Sequence, residues 1–304
     1  MSAHRRAVRS AGRVNGMSEA EVQISCIQFE PRIGETEQNV ATSVSLIGDA
    51  AAGGSKLIVL PELCNSGYVL NSREEAYELS ETVETGNSIA AWRAAAADMD
   101  IHIVAGFIER QDDRLYNSAV VLGPKGLIGT YRKNHLWNAE ALYFERGDLG
   151  FPVFHTPFGR IGVLICYDGW FPEAWRLLAL QGADLVCVPT NWVPMAEQPA
   201  NSPAMANILC MAAAHSNSMF VAACDRIGTE RGQPFIGQSL IVNPNGWPVA
   251  GPASVSEPGT VTAVCNLSAA RRQRTWNSFN QVMRDRRTDL YPEMLGTPTR
   301  PGWY

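Results

Sequence analysis

No stretch of this 304-residue chain approaches the roughly 20 consecutive apolar residues that a membrane-crossing helix needs. Neither sign of charge dominates. Thirty acidic residues against 25 basic leave a formal net charge of −5, spread along the chain, which offers no global basic field to nucleic acid or to an anionic membrane. The seven cysteines, at positions 26, 64, 166, 187, 210, 224 and 265, are odd in number and contain no CxxC pair. That argues against a disulfide framework or a zinc knuckle and fits a reduced, cytoplasmic interior. Four catalytic motifs are missing as well: the GxSxG elbow, the P-loop, HExxH and the dinucleotide GxGxxG. The histidines (His4, His102, His135, His155, His215) are scattered, so a metal site is not expected. The basic start, with Arg5, Arg6, Arg9 and Arg13, lacks the apolar segment of a secretory signal. Residues 1–20 therefore read as a disordered basic tail, with Met17 a second candidate start.

What the chain does have is core material, since 46% of its residues are hydrophobic. Short β-rich runs alternate with segments of helical period. Val22 to Phe29 is strand-like, and residues 37–52 place Val40, Val44 and Ile47 on one helical face before Gly53 and Gly54. "KLIVLPE" reads as a buried strand, and "SIAAWRAAAADM" as a helix capped by Asn87 or Ser88. "IHIVAGF" follows, then a hairpin, "NSAVVLGPKGLIGTYRK", turning at Gly-Pro-Lys-Gly. A second set repeats the order: "IGVLICYD", helix 171–182, "DLVCVPT", helix 203–216, "MFVAACDRI", and a hairpin turning at Asn245-Gly246. "GTVTAVCNL" ends the β-structure. No linker divides the chain, so residues 21–270 read as one domain, a layered α/β sandwich of sheets with helices outside.

Three of the β-rich segments end on reactive side chains: Glu62, Lys133 and Cys166. Strand ends are where α/β sheets usually bind ligands. A carboxylate, an amine and a thiol gathered there make a nucleophilic set. Glu62 takes the thiol proton and returns it to a leaving amine, and Lys133 with the backbone N–H of Tyr167 binds the oxyanion. Taken singly, each has a plainer reading: Cys166 as core packing, Glu62 as a loop or capping acid, Lys133 as a solvated hairpin lysine.

"LPEL", "YRKNHL" and "GVLICYDGWFPE" together resemble the three signatures of the carbon–nitrogen hydrolase (nitrilase) superfamily, in the family order, with similarity from about residue 22 to about 292. The resemblance implies a four-layer α-β-β-α sandwich and a Glu62, Lys133, Cys166 catalytic set working through a thioester, without a cofactor. It also implies that Glu140 in "WNAEALYFERG" matches the family's second glutamate and positions Lys133 and the substrate amide.

Family nitrilases usually carry Cys-Trp-Glu at the nucleophile, whereas "CYD" matches the amidase and carbamoylase branches. Branches that take carboxylate-bearing substrates tend to place an arginine shortly after the cysteine. Gly169 and Trp170 stand there instead, which disfavours an anionic substrate. The segment is similar to that of N-carbamoylputrescine amidases, while "PTNWVP" looks more like aliphatic amidases. The expected reaction is hydrolysis of a small neutral, fairly apolar amide with release of ammonia. N-carbamoyl amine or nitrile hydrolysis is the alternative. Asn191 and Trp192 should line the pocket, with Tyr68, Tyr167 and Trp170 as further contacts. Residues 271–304 hold several arginines, but Asp285, Asp289 and Glu293 interrupt them, so nucleic acid is not expected. "RDRRTDLY" resembles a family segment at the dimer interface, and a homodimer or higher assembly is expected.

Overall fold

The structure, a computed structural model, describes residues 21–199 and 202–291. The basic segment 1–20 and the last part of the C-terminal extension lie outside the described residues.

The chain opens with β1 (Glu21–Gln28), α1 (Thr36–Ala52), β2 (Leu57–Val59), α2 (Arg73–Glu78) and α3 (Asn87–Asp98). Next come β3 (His102–Gln111), β4 (Arg114–Gly123), β5 (Gly126–Arg132) and the short α4 (Glu140–Tyr143). The second half runs β6 (Val153–Thr156), β7 (Gly159–Val163), a 3-10 turn at Cys166–Trp170, α5 (Pro172–Leu180), β8 (Leu185–Pro189), α6 (Met205–Asn217) and β9 (Phe220–Cys224). A small ribbon of β10 (Thr229–Glu230) and β11 (Gln233–Pro234) leads to the hairpin of β12 (Leu240–Val242) and β13 (Pro248–Ala250). β14 (Gly259–Asn266) and α7 (Leu267–Gln273) follow.

Two six-stranded sheets result, ordered β14-β1-β2-β3-β4-β5 and β13-β12-β9-β8-β7-β6. Each has a parallel centre, β1-β2-β3 or β7-β8-β9, flanked by antiparallel strands. The period-2 alternation of strand side chains explains why the central runs are apolar throughout. In β1 and β2, Val22, Ile24, Cys26, Leu57 and Val59 pack toward the other sheet, among Ile161, Val163, Leu185 and Cys187. Their neighbours Ile27, Ile58, Ile103 and Phe107 point the other way, onto Ile47 of α1 and Trp92 of α3. On the far side, Trp175 and Leu178 of α5 and Ala213 of α6 cover the second sheet. The order is helices, sheet, sheet, helices: a four-layer α-β-β-α sandwich.

One local expectation changes, and one strand is added to those expected. α3 begins at Asn87, but neither Asn87 nor Ser88 caps it. The Glu81 carboxylate does so from outside the helix, accepting the Ser88 N–H and Oγ–H at 3.0 and 2.8 Å. Charge at a helix N-terminus is favourable and replaces a local cap. Strand β6, unexpected from the sequence, pairs with β7 as an edge. Among the described residues no helix is long and apolar enough to cross a membrane.

Candidate active site

Each of the three strands ends just before its functional residue, and a turn carries that residue onward. β2 stops at Val59, yet Leu60 N still donates to Val104 O and Cys64 N to Gly106 O, so Glu62 stays hung on β3. Gly106 makes this possible: a Cβ there would lie 2.6 Å from the Glu62 Cα. Lys133 is the first residue past β5, and its N–H extends the ladder to Asn117 O. Cys166 lies three residues beyond β7 with φ +44, a left-handed conformation that a non-glycine residue keeps only when its surroundings impose it.

Asp168 imposes it. This buried carboxylate accepts Ile165 N–H and Tyr131 O–H on Oδ2 (3.0 and 2.7 Å). Its Oδ1 accepts His135 N–H at 3.0 Å and faces His135 Nδ1 at 2.7 Å. One side chain thereby fastens the Cys166 turn to residues on both sides of Lys133.

The buried ammonium of Lys133 donates to Glu62 Oε1 and Glu140 Oε1, 2.7 Å each. Burial works against its charge, but the two carboxylates outweigh burial and hold its pKa above the ordinary lysine range. It is a fixed cation and not a base. Glu140 is oriented by Tyr68 O–H on Oε1 (2.7 Å) and Trp137 N–H on Oε2 (3.0 Å). Glu62 Oε1 also accepts from Asn117 Nδ2 at 2.7 Å, while Glu62 Oε2, equally buried, has no partner. Burial, with the nearby Glu140 charge, pushes the Glu62 carboxyl up to about 7 against the pull of Lys133. Burial and the Glu62 charge likewise raise the Cys166 thiol well above the ordinary range, with Lys133 opposing. At rest the set is a neutral thiol beside a carboxyl poised near neutrality and a permanent cation.

Cys166 opens into a narrow cleft walled by Trp137, Tyr167, Trp170, Asn191, Trp192, Val193 and Met195. No lining side chain carries a charge. Asn191 Nδ2 donates to the Glu62 carbonyl at 2.9 Å and leaves Oδ1 without a partner.

Glu62, Lys133, Glu140 and Cys166 thus come together, and Tyr167, Trp170, Asn191 and Trp192 line the cleft. Tyr68 is not among the lining residues; its hydroxyl is bonded to Glu140. Sequence reasoning missed Trp137 and Met195 in the wall, and Asn117 and Asp168 as supports. Asn117 could not have been found by counting the β4–β5 hairpin back from its turn, because a register shift between Val121 and Leu122 slides the pairing by one residue and puts Ser118, not Asn117, opposite Arg132. Asp168 gave no signal beyond its place in "CYD". Among the described residues no group of three or more His, Cys, Asp or Glu side chains could hold a metal ion.

The carbon–nitrogen hydrolase family matches residues 23–275 of this chain. A protein named nitrilase from Pyrococcus abyssi is 40% identical over 270 residues, spanning 89% of this chain and 99% of its own length. The N-carbamoylputrescine amidase of Arabidopsis thaliana is 33% identical over 292 residues, spanning 90% and 95%. Among solved structures, a carbon–nitrogen hydrolase from Helicobacter pylori superposes with a TM-score of 0.80 at 27% identity, covering 91% of this chain and 99% of its own.

Proposed function

The chain belongs to the carbon–nitrogen hydrolase family, enzymes of carbon–nitrogen bonds other than peptide bonds, and from that premise we propose that it is a cysteine-dependent amidase for small, neutral, fairly apolar amides. The observation that carries the reading is the division of labour at Glu62. Oε1 is held by Lys133 and Asn117, and Oε2 is buried and free.

Oε2 takes the Cys166 proton as sulfur bonds to the amide carbon. The oxyanion forms against Lys133 and the Tyr167 N–H, one of the first-turn donors that a helix leaves without an internal acceptor. The C–N bond breaks as Glu62 returns the proton to nitrogen, and ammonia leaves a thioester. Glu62 then takes a proton from water, hydroxide attacks the thioester, and the carboxylic acid and the thiol are restored.

The uncharged aromatic wall suits a neutral substrate. An amide NH₂ brings N–H donors to a site that holds unpartnered acceptors, Glu62 Oε2 and Asn191 Oδ1, whereas a nitrile brings none. Nitrile hydrolysis is the second reading because of the Pyrococcus relative's name, and N-carbamoyl amine hydrolysis because of the Arabidopsis one. In this reading residues 21–270 act as one catalytic domain of a cytoplasmic enzyme, to which the free state of all seven thiols is suited. The enzyme assembles as a homodimer through the apolar groove between α5, α6 and residues 286–291.

Cys166→Ala should end turnover while thermal unfolding stays cooperative; hydrolysis persisting in that variant would overturn the mechanism. Ammonia release from aliphatic amides, aromatic amides, N-carbamoyl amines, N-carbamoyl amino acids and nitriles tests the substrate. Highest kcat/KM is expected for neutral amides, and preference for a carbamoyl amino acid or a nitrile would reject the reading.

A further inference from the structure

β7 and β8 run parallel with Val163 opposite Cys187, and Leu164 N continues the pairing to Cys187 O. Three residues past each member of that pair come Cys166, which opens the 3-10 turn, and Thr190, the first residue beyond β8. Thr190 is held there from both sides, by its own N–H to Cys224 O and by the neighbouring Asn191 side chain to the Glu62 carbonyl. It is fully buried, and its Oγ1 completes no hydrogen bond in the resting geometry. A threonine inside a well-packed core ordinarily satisfies its hydroxyl, so an idle one beside a nucleophile calls for a reason. The Cys166 sulfur supplies it: the Thr190 hydroxyl is placed to favour the charged form of that sulfur. A neutral thiol is a weak acceptor and leaves the hydroxyl idle; a thiolate is a strong one.

We propose that Thr190 is a further catalytic residue, whose Oγ–H donates to Cys166 Sγ whenever the sulfur carries negative charge. It acts first when Glu62 has taken the thiol proton, and again when sulfur leaves the carbon as the thioester is hydrolysed. Thr190 keeps its own proton throughout and makes no covalent bond. The inference rests on Cys166 being the nucleophile, but not on the identity of the substrate.

Alkylation of Cys166 by iodoacetamide, followed by mass spectrometry of the Cys166 peptide across pH, reads the sulfur directly. Thr190→Val keeps the volume and removes the donor. Its alkylation profile should move alkaline by about one pH unit, a roughly tenfold slower reaction at a pH below both midpoints. Thr190→Ser should restore the wild-type profile. Should Thr190→Val fail to fold, Thr190→Ala carries the same comparison. A profile unchanged by loss of the hydroxyl overturns the proposal, and so does one moved to lower pH, which would make the hydroxyl an acceptor of the thiol proton. A Thr190→Ser profile matching that of the valine variant would also overturn it. The catalytic reading fails separately, by turnover surviving in Cys166→Ala.

Discussion

Glu62 has to accept a proton and give it back within one turnover, so its affinity for that proton has to lie near the working pH. Burial supplies the rise and Lys133 limits it, leaving the carboxyl at about 7. Below that value Oε2 carries a proton and cannot take one from sulfur. The expected result is a kcat/KM that falls about tenfold per pH unit below about pH 7 and levels off above it, measured as initial rates of ammonia release. Glu140 adds a second test, since its charge raises Glu62. Glu140→Gln retains an oxygen for Tyr68 and removes the charge, so the acid limb should move to lower pH while kcat drops from a misplaced Lys133. A limb that stays in place would mean that Glu140 acts on geometry alone. Linkage supplies a third. A carboxyl whose folded pKa is raised contributes stability that is complete below its unfolded value, about 4.3, and is lost as pH rises through about 7. Denaturant titrations of wild type and Glu62→Gln should therefore shift in the variant's favour across that window.

At the scale of elements, the site is a problem of strand ends, and this sets what the sequence could show. Apolar runs such as "KLIVLPE" and "IGVLIC" announce buried strands because both sheet faces are covered, and a charged or nucleophilic residue at the end of such a run stands out. Glu62 and Cys166 stand out as candidates for that reason, Lys133 at the end of the half-exposed edge strand β5 does not, and it is the resemblance of the three segments to one family that joins them. What holds them was not legible, because each support comes from a residue distant in sequence whose partner only register reveals. Glu81 replaces the expected cap of α3; Asn117 of β4 reaches over β3 to Glu62; Asp168 reaches back 33 residues to His135. The edge strand β6 was missed for a related reason, since its half-buried side chains give neither a continuous apolar run nor a clean alternation. Asp168 is the most exposed to test. Its two oxygens receive Tyr131, Ile165 and His135, and an asparagine amide would set an NH₂ against donors on one side. Asp168→Asn should lower stability by about 3 kcal/mol in urea denaturation. It should also cut kcat more than it raises KM, because the turn bearing Cys166 loosens while the aromatic wall stays. A neutral substitution there would show that the turn is held by its own backbone.

Over the whole molecule, the two sheets pack their parallel centres against each other, and the helices outside differ in what remains exposed. α1 and α3 close on one another, with Trp92 Nε1 donating to Ser43 Oγ. α5 instead leaves Leu177 and Leu180 more than two-fifths exposed, along a groove completed by Leu209 and Ala212 of α6 and by Arg286, Leu290 and Tyr291. An apolar face of this kind on a helix layer fits a second copy better than water. The groove is also joined to the chemistry. α5 starts at Pro172, directly after the turn bearing Cys166, Trp175 Nε1 donates to Gly169 O at 2.9 Å, and Trp170 lines both the groove and the cleft. Pressing two copies together through this face would therefore steady one wall of the cleft. Replacing Leu177 and Leu180 together by lysine puts two charges into the face without touching Cys166, Glu62 or Lys133. In sedimentation-velocity runs the double variant should fall to the monomer, with kcat reduced along with the loss of assembly. Restoring activity by raising protein concentration would tie the two effects to one interface. A variant that sediments like wild type would move the interface to another face of the sandwich.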